Sequence, residues 1–350
     1  MAMPRDPVDR AADEDGDVDL QNVARWEPRS TIDRFSARLH GAVLAGLRVL
    51  VVLVALGIGL SVAANGVYLV FVDRAVAVLV ALSIIPAGLL AVYVYRADVT
   101  TEEPLTLVVV TFLLSVALIG LAFVVNTIGT VALGVGPATP VAVAVPFFYL
   151  VVGPVEETVK LLAVRLHAYR DDRFDAVIDG AVYGAIAGLG FATFENAYYI
   201  TAGIDLVDGA IAAPIDAGAT TFARTLAGPG HVIYSAIAGY YLGLAKFVDD
   251  ASGPIVVKGL LIATLLHGTY NVGVSIVPGA LVAIAGVPPL LALIAFVLAF
   301  DGAAGYLLYR RLETYRRTYH AVGAGDRAPA TPAGDEFDPP SGRDRAGRER

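Results

Sequence analysis

Runs of apolar residues long enough to cross a lipid bilayer constrain this chain before any motif does. A hydrocarbon core of about 30 Å takes roughly 20 apolar residues in helical form. Hydropathy predicts eight such stretches, at roughly 49–72, 75–95, 105–125, 141–166, 177–200, 218–245, 255–277 and 288–309. The composition agrees, with 57% of 350 residues hydrophobic and only 17% charged, and a mean hydropathy of +0.68. Those values lie outside the range of an ordinary soluble domain. Backbone polar groups inside hydrocarbon must be satisfied within their own segment. The expectation is therefore an all-α bundle of about eight transmembrane helices, a multi-pass protein of the cell membrane.

The charged residues organise the rest of the chain. The net charge of −8 sits largely in two polar tails, 1–40 and 318–350, which predict disorder. Between them lie helices 1–3 (41–130), a polar-striped core of helices 4–7 (140–278) and helix 8 (285–312). No short apolar core precedes a small-residue cleavage site near the start, so the first span is read as its own membrane signal. Arg34, Arg38, Arg48, Arg96, Arg165, Arg170, Arg173, Lys246 and the arginines 310, 311, 316 and 317 fall on one side of the alternating loops, against Arg74 on the other. The positive-inside rule then places both termini in the cytoplasm, which an even number of spans allows. Nothing in this charge pattern suggests nucleic acid. The chain has no cysteine, which removes disulfides, thiolate nucleophiles and cysteine metal ligands together. Its acidic, lysine-poor, Val/Ala-rich composition would suit a high-salt cytoplasm.

An ionisable side chain at membrane depth is costly and by default marks a functional site. Such residues crowd spans 4–7: Glu156, Glu157, Lys160, Asp179, Glu195, Arg224, His231, Lys258, His267 and Asn271. Their spacing is helical. Glu156 and Lys160 in EETVK, Phe191 and Glu195 in FATFE, and His267 and Asn271 in HGTYN are each four apart, while Arg224, His231 and Ser235 step by seven and four. Four consecutive helices thus each carry one polar stripe, and turning all four inward onto a shared hydrated cavity avoids exposing them to lipid. Counting about 1.5 Å per residue from the expected cytoplasmic ends puts Glu157 roughly 14–20 Å deep, His267 about 19 Å, His231 about 22 Å and Glu195 about 28 Å. Gly180, Gly184 and Gly188, with Gly239 and Gly243, predict close packing of spans 5 and 6. Pro229 in GPG, before His231, and Pro154, before Glu156, are expected to break the helical ladder and free backbone groups beside the cavity.

A carboxylate beside a second carboxylate and away from bulk water can act as a general base, with a histidine in reach to share the proton. An imidazole and an Asn amide one turn apart can donate to an oxyanion. That set suffices for peptide hydrolysis by activated water. Zinc bound by Glu195, His231, His267 and one of Glu156 or Glu157 is an alternative, although no HExxH occurs. Serine chemistry lacks a GxSxG elbow, and the GAGD string at 323–326 lies in the polar tail. The same groups would also serve a proton relay in a transporter, but spans 1–3 show no counterpart of the stripes that an internal repeat would require. A non-catalytic scaffold that binds partner helices is the third reading.

Four segments in order, GPVEETVKLL (153–162), FDAVIDGAVYGAIAGLGFATFENAYYI (174–200), RTLAGPGHVIYSAIAGYYLGLA (224–245) and LLHGTYNVG (265–273), resemble the PrsW-type glutamic intramembrane proteases, relatives of the CAAX prenyl endopeptidases. The resemblance covers about 150–275. It implies hydrolysis of membrane-anchored protein substrates within or near the bilayer, an anti-sigma-like regulator being one bacterial example. It makes Glu156 and Glu157 the water-activating centre and Glu195 the FxxxE glutamate, where CAAX-type relatives have histidine. It gives His267 and Asn271 the oxyanion role, with His231 a second base or ligand. Lys160, Phe191 and Arg224 support them, Arg224 as counter-ion to Glu195 or Glu157. Asp179 is read as an anchor at the cytoplasmic mouth and Lys258 as snorkelling to the interface. Asp301 and Arg48 lie outside the resemblance.

Overall fold

Long apolar sequences close their own hydrogen bonds as helices, and the computed structural model is built almost wholly from them. It describes parts of 29–57, then 74–100, 103–136, 139–202, 206–207, 210–211, 214–248 and 252–323. The chain divides into two compact units, Met1–Gly57 and Ile58–Arg350. In the first, the described residues from 31 onward are helical. Ser30 and Asp33 start that helix as a reciprocal cap, each backbone N–H donating to the other's side chain at 2.8 and 3.1 Å. Residue 30 had been expected to lie in a disordered tail. Residues 1–28, 58–73 and 324–350, with Arg48 and most of the first candidate span, lie outside the described residues.

The second unit runs α1 (Arg74–Arg96), α2 (Leu105–Leu133), α3 (Val141–Phe147), a π-helical turn (Phe148–Val152), α4 (Gly153–Leu166), a 3₁₀ turn (Ala168–Arg170), α5 (Val177–Ala202), a hairpin of β1 (Leu206–Val207) and β2 (Ala210–Ile211), α6 (Pro214–Lys246), α7 (Ser252–Ala285) and α8 (Pro289–Gly323). The two short strands are antiparallel, pairing Leu206 with Ile211 and Val207 with Ala210. α8 extends past residue 312, where the sequence suggested it would stop. Glu313 holds that extension by pairing with Arg317 one turn on, at 2.7 Å.

Among the described residues six helices are long and apolar enough to cross a membrane. α6 spans 33 residues but is not one of them. Its position accounts for its polarity: α1, α4, α5, α7 and α8 all pack against it, so protein rather than lipid covers it. α5 is the other interior helix, and Gly180, Gly184 and Gly188 face α6. A Cβ on any of them would strike a backbone carbonyl, of Gly239, Ser235 and His231 respectively. The GxxxGxxxG ridge therefore brings two backbones into direct contact and fixes the register of His231 against α5. On the outer helices, Val78, Leu82 and Leu89 of α1, Leu113 of α2 and Leu261 and Leu265 of α7 are exposed and form a lipid-facing surface.

One sequence expectation fails here. α6 runs unbroken through Pro229. Proline still removes one ladder donor, so it is the break in the helix that does not occur. At Gly153-Pro154 the backbone also stays helical, with an altered ladder. Pro154 occupies the first turn of α4, and the ladder ahead of it widens into the π-helical turn Phe148–Val152.

Candidate active site

Glu156 closes the first turn of α4 and Glu157 opens the second, and adjacent helical positions point about 100° apart. The two carboxylates accordingly meet different neighbours. Glu157 is fully buried and saturated. Its Oε1 accepts from Lys160 Nζ at 2.6 Å and from His267 Nδ1 at 2.8 Å, and its Oε2 accepts from Ser235 Oγ at 3.2 Å. Lys160, also fully buried, lies 4.4 Å from the centroid of the Phe191 ring and 2.9 Å from His231 Nδ1. An ammonium can only donate, so His231 Nδ1 accepts and the ring proton sits on Nε2. That Nε2 faces Glu195 Oε2 at 2.9 Å. Phe191 stacks on the His231 ring, with centroids 5.5 Å apart.

Glu195 shares its Oε2 with Arg224, whose NH2 donates at 2.6 Å. Arg224 Nε donates to Asn196 Oδ1 at 2.9 Å, and Asn196 Nδ2 reaches Ser83 and the Arg224 carbonyl. The guanidinium lies over the Tyr199 ring. A chain of contacts therefore runs from α1 through α5 and α6 to α4 and α7.

Glu156 stands apart from this chain. Its Oε1 accepts from Asn126 Nδ2 at 3.1 Å, while Oε2 is buried with no hydrogen-bond partner and lies 3.7 Å from His267 Nε2. His267 Nδ1 donates to Glu157, which leaves the ring's Nε2 facing Glu156. Three carboxylates face two permanent cations here, and Glu156 is the one without a cation against it. Glu156, Glu195, His231, His267 and Asn271 all line a cavity of about 290 Å³, which Glu157 and Lys160 do not reach.

The structure thus brings Glu156, Glu157, Lys160, Phe191, Glu195, Arg224, His231 and His267 into one cluster and puts Asn271 on the wall of its cavity, one turn beyond His267. Arg224 pairs with Glu195, not Glu157. The depth count set Glu195 well above His231, yet the two touch. Asp179 caps α5, and Lys258 lies 5.5 Å over the Tyr241 ring. Asp301 of α8 accepts from the Tyr234 hydroxyl at 2.7 Å, and that ring packs 5.8 Å from His267. Sequence reasoning missed Asn126, because the third span was ended at 125. It is the only strongly polar side chain in the second half of α2, which was the available signal.

Glu156, His231 and His267 each offer one ligand atom, all within 4.8 Å of one another. This nitrogen and oxygen set fits zinc. The bare Oε2 of Glu156 and Nε2 of His267 are ready donors, and Glu157 holds His267 from behind as a carboxylate commonly holds a ligating histidine. His231 would ligate through Nε2 only as its other tautomer, Nδ1 taking a proton from Lys160 as Nε2 passes its own to Glu195. Glu157, considered from sequence as a ligand, has both oxygens engaged.

Comparison with known proteins gives one family. The family described as PrsW family intramembrane metalloprotease matches residues 103–300. Protease PrsW of Geobacillus kaustophilus is 32% identical over 195 residues, covering 55% of this chain and 78% of that protein. Protease PrsW of Shouchella clausii is 30% identical over 55% of this chain and 81% of its own length, and that of Bacillus subtilis 29% over the same shares. No solved structure matches. With six apolar helices among the described residues, the chain is a multi-pass integral membrane protein.

Proposed function

The chain belongs to the PrsW family of intramembrane proteases, and from that premise we propose that it hydrolyses peptide bonds of membrane-anchored proteins at the cavity between α4 and α7, with Glu156 as the base that activates water. One observation carries the reading. Glu156 presents a buried oxygen without a partner to Nε2 of the cavity-lining His267, 3.7 Å away. A water between them would lose its proton to Glu156 as it attacks, and His267 would hold the other hydrogen. The proton then passes from Glu156 to the departing amine, returning the carboxylate to its starting state. Asn271 is the amide donor nearest His267 along α7 and is suited to receive the developing oxyanion.

The neighbouring groups position this pair. Glu157 fixes the orientation of the His267 ring, Lys160 pairs with Glu157 and orients His231, and Arg224 pairs with Glu195 beside His231 Nε2. An anti-sigma-like regulator is the kind of substrate the family resemblance suggests.

The zinc reading is favoured by the convergence of Glu156, His231 and His267 within 4.8 Å. The metal would polarise the scissile carbonyl and acidify bound water. Under that reading Glu195 would hold the proton from His231 while still accepting from Arg224.

The test is cleavage of a single-span substrate by the purified protein in lipid nanodiscs, as wild type, Glu156→Gln and His267→Ala, with and without a strong chelator. Loss of cleavage in both variants supports the reading, and cleavage surviving in both overturns it. Loss on chelation, restored by zinc, selects the metal form.

A further inference from the structure

The loop between α1 and α2 and the first turn of α5 hold three carboxylates with no part in the chemistry above. One oxygen each of Asp98, Glu103 and Asp179 falls within 4.8 Å of the other two. Each residue uses one oxygen structurally. Asp98 Oδ1 accepts from the amide and hydroxyl of Thr100 at 2.9 and 2.7 Å. Asp179 Oδ2 accepts from the backbone N–H groups of Asp175 and Ala176 at 2.8 and 2.9 Å, and Glu103 Oε2 accepts from the Tyr183 hydroxyl.

The second oxygen of each, Asp98 Oδ2, Glu103 Oε1 and Asp179 Oδ1, is buried without a hydrogen-bond partner. Asp179 is 0% exposed and Glu103 4%. Among the described residues no arginine or lysine forms an ion pair with any of the three. Lys246 of α6 gives its ammonium to the carbonyls of Asp171 and Phe174 instead. Unpaired carboxylate oxygens at such depth are strongly unfavourable unless a cation or a proton sits among them.

We propose that Asp98, Glu103 and Asp179 bind a hard divalent cation, Mg²⁺ or Ca²⁺, at the end of the bundle where α2 and α5 begin. An all-oxygen anionic set suits hard cations rather than zinc or copper. Three carboxylates leave coordination positions for water or carbonyls, and Asp98, partly exposed, provides the entrance. Bound there, the cation ties the α1–α2 loop to α5, the helix that carries Phe191 and Glu195 toward its other end. The site lies apart from the Glu156 cluster and shares no residue with it.

Full-length protein, stripped with chelator and held in detergent micelles, is titrated with Mg²⁺ or Ca²⁺ while its melting temperature is followed. The variants are Glu103→Gln, Asp98→Asn and Glu156→Gln. At about 100-fold over Kd, a rise of about 5 °C is expected in wild type and in Glu156→Gln, with none in Glu103→Gln or Asp98→Asn. Equilibrium dialysis on wild type, which needs no variant to fold, should give one ion per chain, undiminished in Glu156→Gln. The proposal fails if neither cation binds, a result that would leave a proton shared between Glu103 and Asp179. It fails equally if Glu103→Gln, folded, binds as wild type does or if Glu156→Gln abolishes binding.

Discussion

Replacing either of two adjacent glutamates by glutamine is the same chemical change, yet the structure predicts very different effects on stability. In Glu157→Gln the lost charge had faced Lys160 at 2.6 Å, with both side chains fully buried. The variant leaves a desolvated ammonium without its counter-ion, and breaking a buried pair in this way costs about 3–5 kcal/mol. The His267 Nδ1 and Ser235 Oγ bonds end on the same carboxylate, which argues for the upper half of that range. For a chain of this size each kcal/mol moves the midpoint by about 2–4 °C, so a fall on the order of 10 °C is expected. Glu156→Gln removes a charge that no lysine or arginine balances and keeps an oxygen for Asn126. Its midpoint should stay within about 2 °C of wild type or rise. Thermal unfolding of the three proteins in one detergent, followed by helical circular dichroism, decides the matter. Equal losses in both variants, or the larger loss in Glu156→Gln, would refute the division of roles.

Other consequences follow from the same contacts. Gly184→Ala puts a methyl group against the Ser235 carbonyl and should cost about 1–3 kcal/mol in unfolding experiments, as overpacking does. Tyr234→Phe leaves Asp301 without its donor and should destabilise by about 1–3 kcal/mol. Adding Asp301→Leu should recover part of that loss, which a double-mutant cycle measures. Burial pushes the Glu103 carboxyl up to about 8, with Asp179 and Asp98 adding to the rise and the Tyr183 hydroxyl opposing it. A carboxyl raised in the folded state stabilises the fold below the unfolded value near 4.5 and loses that contribution as pH rises through about 8. Metal-free protein should therefore weaken over that window. Cation binding requires the deprotonated form, so the cation-induced rise in melting temperature should grow from pH 6 to 8.5.

The membrane class and the polar cluster were legible in the sequence because both rest on period and length. Lys160, Phe191, Glu195, His231 and His267 sit at helical spacings on spans that have to face one another, and the glycine ridge gives the α5–α6 contact directly. Which glutamate faces the cavity was not legible. That depends on where α6 and α7 place Ser235 and His267, a tertiary fact with no local signal. α6 reads from its sequence as a membrane span interrupted at Pro229, because composition does not say whether a helix is wrapped by lipid or by other helices. Asp301 lay outside the resemblance and its partner, Tyr234, is 67 residues away, so no local signal pointed to the pair. The Asp98, Glu103 and Asp179 cluster was invisible because two of its members sit in a short loop, where carboxylates are ordinary.

The central claim is that Glu156 activates the water that cleaves the peptide bond, and single-turnover cleavage tests it most directly. Wild type and Glu156→Gln, matched for melting temperature, are mixed in excess with a labelled single-span substrate and the product is followed in time. Loss of the base should slow cleavage at least about 100-fold. A folded Glu156→Gln protein that cleaves within a few-fold of the wild-type rate would contradict the account.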